Sequence, residues 1–200
     1  MSKFPYPENP APTDAQLLSA IKRRWSPLAF SSEPIEAEKI TALFEAMRWT
    51  QSSRNEQPWR IIYATKDDGE IFDQLASLLT QDNGYLKDAY MLMLVCAVQN
   101  FAYKNLPNRM HQYDTGAAAH ALFLQAVDMG LVAHEVGGFD KEKPYELFKI
   151  PKEVSLLVMM GVGYPGDESK VDPALLKKRY ENSRVRRSVT DFAFRGKWLA

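Results

Sequence analysis

The 200-residue chain is 46% hydrophobic, enough to bury one sizeable core, and its length asks for no second domain. Lys plus Arg and Asp plus Glu both number 25, so nothing pulls the chain electrostatically toward nucleic acid or an anionic membrane. The single cysteine, Cys96, lies in the apolar run 90–98 and can form no internal disulfide, which fits a buried thiol in a reducing, cytoplasmic setting.

Pro5, Pro7, Pro10 and Pro12 interrupt the first residues, predicting an extended arm over 1–13 rather than a signal peptide or membrane helix; residues 14–200 are then one domain. Leu17, Leu18 and Ile21, behind Thr13 and Asp14, predict a helix over 14–24 that Trp25-Ser26-Pro27 breaks. A second helix follows Pro34, with Ile40, Leu43, Phe44 and Met47 as its apolar face. It runs into Gln51–Trp59, where hydroxyls, amides, Arg54 and Trp59 crowd one turn and Pro58 restricts Gln57 to an extended conformation. Local capping at a helix exit would account for that turn, and so would contact with a ligand. Strands are predicted over 59–65, 90–98, 131–136 and 154–162, and helices over 70–79, 115–129 and 141–148. Residues 100–114 read as a long irregular loop, and beyond Asp167 the chain is polar and charged.

Gly161-Val-Gly-Tyr-Pro-Gly166 matches the dinucleotide fingerprint, but that fingerprint needs a helix starting at its third glycine to receive a pyrophosphate. Pro165 and the aperiodic stretch 167–173 argue for a strand followed by a tight turn instead. His111, His120 and His134 have no metal-ligand spacing, and no nucleophile elbow surrounds any serine. Arg184 and Arg186, two apart on an extended segment, would project to one side and could clamp a phosphate, or could face water; Arg24 at the end of the first helix carries the same two readings.

Taken in order, Arg24-Trp-Ser-Pro-Leu-Ala-Phe30, Ser52-Ser-Arg-Asn-Glu-Gln-Pro-Trp59, Asp114-Thr-Gly-Ala-Ala118, Gly137-Gly-Phe-Asp140 and Arg184-Val-Arg186 resemble the flavin-dependent nitroreductase family, over about residues 14 to 198. The resemblance implies an α+β, three-layer α-β-α fold with a mixed central sheet, built as an intertwined homodimer with FMN at the subunit interface. It places Arg24, Trp25, Ser26 and Leu28 along the phosphate, ribityl and pyrimidine side, and Arg184 and Arg186 as the phosphate clamp. Gln51, Ser52, Ser53 and Asn55 would approach the same flavin from the other subunit, and Gly137 and Gly138 would let backbone lie against the ring.

The implied activity passes electrons from NADH or NADPH through the flavin to a nitroaromatic, quinone or related small acceptor by a ping-pong scheme, with no obligatory acid or base residue. One position departs from the family pattern. Where the family usually has Arg or Lys near the pyrimidine edge, this chain has Leu28, which predicts a lowered flavin potential or, in the alternative, a flavin-storing or sensing module with little turnover.

Overall fold

Strand β3, Met91–Val98, is apolar throughout because neither of its faces meets solvent. In the computed structural model, which describes residues 3–198, its side chains alternate between two cores. Leu92, Leu94 and Cys96 join one with Phe72, Leu75 and Ala76. Met91 and Met93 join the other with Leu43, Met47, Leu122 and Phe123. Helices α3 (Glu70–Ala76) and α5 (Lys143–Leu147) therefore flank one face, and α2 (Ala37–Arg48) and α4 (His111–Asp128) the other, making the three expected layers.

The remaining strands are β1 (Phe30–Ser31), β2 (Trp59–Thr65), β4 (Val132–Val136) and β5 (Val154–Pro165). Both β3 and β4 register against Met159–Val162, so β5 lies between them and the order runs β4-β5-β3-β2, with β1 on the C-terminal end of β5. Every ladder among the described residues is antiparallel, which corrects the expectation of mixed pairing within one chain. The reason is topological. Strands β3 and β4 point the same way and are joined through α4, as in a parallel crossover, but β5 inserts between them in the opposite direction.

Helix α1 spans only Ser19–Arg23, shorter than the predicted 14–24. Leu17, Leu18 and Ile21 are exposed in the single chain, so no tertiary packing sustains a longer helix there. Helix α4 starts at His111 rather than 115, because Asn108 accepts from the backbone N–H groups of Met110 and His111 and nucleates the turn early. The irregular segment is correspondingly shorter than 100–114. Helix α6 (Pro173–Asn182) was not predicted; Asp172 caps it by accepting from Leu175 N at 2.8 Å, and it buries no residue fully.

The three glycines of the fingerprint serve packing. A Cβ at Gly161 would meet Leu86 Cδ2 at 2.8 Å, and one at Gly166 would collide with the Phe30 carbonyl. A 3₁₀ turn, Glu168–Lys170, follows Gly166, so no helix N-terminus stands where a pyrophosphate would need it. No helix among the described residues is long and apolar enough to cross a membrane.

Candidate functional site

The segment leaving α1 divides its side chains between a cleft and the interior. Arg24 turns outward, its guanidinium 5.6 Å from the centre of the Phe123 ring on α4. Trp25 turns inward, 1% exposed, with its Nε1 donating to Pro7 O at 2.6 Å and its ring 4.6 Å from that of Tyr180. Ser26 is half-buried. Leu28, 2% exposed, lines a separate cavity of about 370 Å³ with Phe30, Tyr85 and Gly166.

The outward side opens on a cleft of about 460 Å³ that brings together Arg24, Arg184, Arg186 and Arg187, beside Thr13 and Leu17. Arg184 shapes this cleft as much as it charges it. Its Nη1 donates to Arg24 O at 2.7 Å and its Nη2 to Lys22 O at 2.5 Å, while its buried Nε has no partner among the described residues. Arg186 donates to the carbonyls of Ser183 and Val185. None of the four arginines forms an ion pair among the described residues. Burial first, then the charge of Arg186, pushes the Arg24 pKa down. Burial pushes that of Glu135 on β4 up, with Arg24 pulling the other way. A half-buried guanidinium with further cations beside it is stabilised by an anion with several oxygens.

The turn at 51–57 forms the second part of the predicted site. Gln51 and Asn55 are exposed, and Ser52 and Ser53 half-buried. Arg54, Asn55 and Gln57 all have positive φ, at 56°, 55° and 51°. The expectation of an extended Gln57 is thus corrected: its N–H donates to Ser52 Oγ at 3.0 Å, which folds the chain back and sets that backbone. Ser53 N donates to Asp114 Oδ2 at 2.9 Å, anchoring the turn on the first turn of α4. Three left-handed residues of this kind cost about 1–3 kcal/mol each and persist only where surrounding contacts hold them. Arg54 lies 5.9 Å from the Phe101 ring centre and 5.8 Å from that of Tyr103, and Ala102 N donates to Glu56 Oε1, so the 99–110 segment rests on this turn.

The two parts lie apart within one chain. Asp114 and Phe123, which mark them, are nine residues apart on α4, about 14 Å along its axis. The glycine pair divides similarly: a Cβ at Gly138 would meet Asn83 Nδ2 at 2.6 Å, whereas one at Gly137 meets nothing within 4 Å. Gly138 is thus required by Asn83, and Gly137 has open space before it. Asp114, Arg187 and Asn83 were not read from the sequence as parts of the site. Asp114 carried a signal as the start of the Asp114-Thr-Gly-Ala-Ala118 block, and Arg187 as the last of the Arg184-Val-Arg-Arg187 run; Asn83 carried none.

The family model for the nitroreductase family matches residues 21–164, most of the chain. The chain belongs to the nitroreductase family. This nitroreductase-family chain is 36% identical over 129 residues to a 15.4 kDa protein of Mycolicibacterium smegmatis whose name gives no function, covering 64% of this chain and 85% of that one. It is 27% identical over 176 residues to an Archaeoglobus fulgidus protein assigned by name to the NADH dehydrogenase/NAD(P)H nitroreductases, covering 86% of this chain and 97% of that one. Among solved structures, an oxidoreductase containing FMN superposes with a TM-score of 0.87 at 28% identity, over 96% of this chain and 98% of that one. A nitroreductase family protein of Clostridium difficile 630 shares the fold, with a TM-score of 0.70 at 19% identity, over 92% of this chain and all of that one.

Proposed function

We propose that the protein is an FMN-dependent oxidoreductase that takes electrons from NADH or NADPH and passes them to a nitroaromatic, quinone or related small acceptor, working as a homodimer. The observation that carries this reading is the cleft where Arg24, Arg184, Arg186 and Arg187 converge with no ion pair among the described residues, in a fold shared with an oxidoreductase containing FMN. The residues fit that cofactor. Among the described residues Arg184 Nε is a buried donor with no partner and Arg24 a half-buried cation without an ion pair, and no atom lies within 4 Å of where a Gly137 side chain would start.

Bound FMN would supply the two-electron chemistry, accepting from a nicotinamide donor and reducing the acceptor. The chain's own part is binding and exclusion. Arg24 and Arg186 neutralise the phosphate, Arg184 fixes the backbone carbonyls that aim Arg24, and the Ser52–Asn55 turn, held by Asp114, presents amides and hydroxyls at the other end. Because these ends are separated in one chain, the second end is assigned to the partner copy. The exposed apolar side chains Leu17, Leu18, Ile21, Val185, Val189 and Phe192 support such a partner.

A second reading, a flavin-storing or sensing module, is favoured by the buried Leu28 in place of a cation. One experiment separates them. The purified protein is expected to be yellow, to gain several degrees in Tm with added FMN, and to consume NADH or NADPH with a quinone or nitroaromatic. Stabilisation by FMN without turnover would leave the storage reading; no stabilisation by FMN would sink both.

A further inference from the structure

The Arg24–Phe30 segment and the helix end before it are gripped at several points, two of them by residues to which the proposed function gives no task. Arg184 holds the carbonyls of Lys22 and Arg24, and Tyr180 packs its ring on Trp25. The third grip is His134 of β4, 4% exposed, whose Nδ1 lies 2.8 Å from Pro27 O. A carbonyl only accepts, so Nδ1 carries the proton and the neutral ring offers Nε2 as an acceptor. Tyr85 OH, at 3.1 Å, donates to it, and Arg179 Nη2 of α6 lies 3.5 Å away.

We propose that neutral His134 is a positioning residue, a pin that ties the Arg24–Phe30 segment to β4 and to α6 so that Arg24 is held toward its anionic ligand, and that protonation of His134 releases the pin. The identity of that ligand as FMN rests on the function proposed above; the pin itself rests on geometry. The charged and titratable groups facing His134 are Tyr85 from the 81–88 turn, Arg179 from α6 and Arg24 from the gripped segment. None is a carboxylate. A proton on Nε2 would reverse the Tyr85 hydrogen bond and set a second positive charge beside Arg179.

Burial holds the His134 pKa down to about 4; the hydrogen bond to Pro27 O, the next largest influence, opposes it, and the charges of Arg179 and then Arg24 act in the same direction as burial. A histidine freed by opening would return to about 6.5. The open form therefore takes up the proton first: closure is fully favoured above about pH 6.5 and is progressively lost as pH falls toward about 4.

The test compares wild type with His134→Gln, which keeps a donor for Pro27 O and an acceptor for Tyr85 but does not titrate. In both proteins without cofactor, amide hydrogen exchange is followed across residues 24–30 and across β3, with protection corrected for intrinsic pH effects. Between pH 7.5 and 4.5 the wild-type segment is expected to lose about tenfold or more in protection relative to the variant, with β3 unchanged in both. Parallel loss in the two proteins would overturn the proposal. FMN affinity, read by quenching of flavin fluorescence, is expected to weaken more in wild type than in the variant over the same range; the phosphate's own titration is common to both and cancels. If wild type binds no FMN at pH 7.5, the functional reading fails while the exchange comparison still decides the pin.

Discussion

Leu28 stands where the family resemblance implies a cation. It is 2% exposed and lines one cavity with Phe30 and Tyr85, so the leucine belongs to the interior rather than to the surface. Arg54, a cation that could compensate, packs in one chain over Phe101 and Tyr103. If the proposed FMN lies with its pyrimidine edge toward Leu28, the reduced anionic flavin lacks the stabilisation that a cation there would supply. Replacing Leu28 with Arg is expected to raise the midpoint potential of bound FMN by about 30 mV or more, equivalent to about 1.4 kcal/mol in a two-electron couple. An unchanged potential in a variant that still binds FMN would refute the link. At this scale the sequence disclosed the cations but not their tasks. Arg24, Arg184 and Arg186 were legible as a group that comes together, and they line one cleft, yet that both Arg184 Nη groups hold carbonyls follows from where the chain ends of α1 and α6 meet, which no spacing encodes.

Among the elements, those with strong apolar periodicity were legible and those stabilised by few local contacts were not. β3, β5, α2 and α4 were read within a few residues because their side chains serve the two cores. The two-residue β1 has too little sequence to show a period, and α6 lacks a buried stripe, although its Asp172-Pro173 start was a readable cap signal. Glycines of the strands and loops looked alike in sequence, and only the space around them tells them apart. Gly166→Ala is expected to cost about 1–3 kcal/mol, because its Cβ would strike backbone of β1. Gly137→Ala is expected to leave the urea midpoint nearly unchanged while weakening FMN binding. Equal losses of stability in the two variants would contradict this division of roles.

For the whole molecule, the layered architecture and family were legible, but the completeness of the site was not. Ser53 anchors at one end of α4 and Arg24 lies against Phe123 further along it, so the two parts of the proposed site lie apart in a single chain. Sedimentation of the purified protein is expected to show a dimer. Leu18→Asp, which places a charge on an apolar side chain that is 71% exposed in the single chain, is expected to weaken that dimer and FMN binding together. A monomeric wild type that binds FMN tightly would show that one chain suffices.

The position of β5 also dictates an order of events during synthesis. Residues 154–165 are the partner of β1, β3 and β4, three segments made earlier on the ribosome. Until β5 emerges, the β2 and β3 ladder is the one sheet pairing among these strands that can form. The apolar edge of β3 must wait uncovered through α4, β4 and α5, about 55 residues, or some seconds of translation at typical rates.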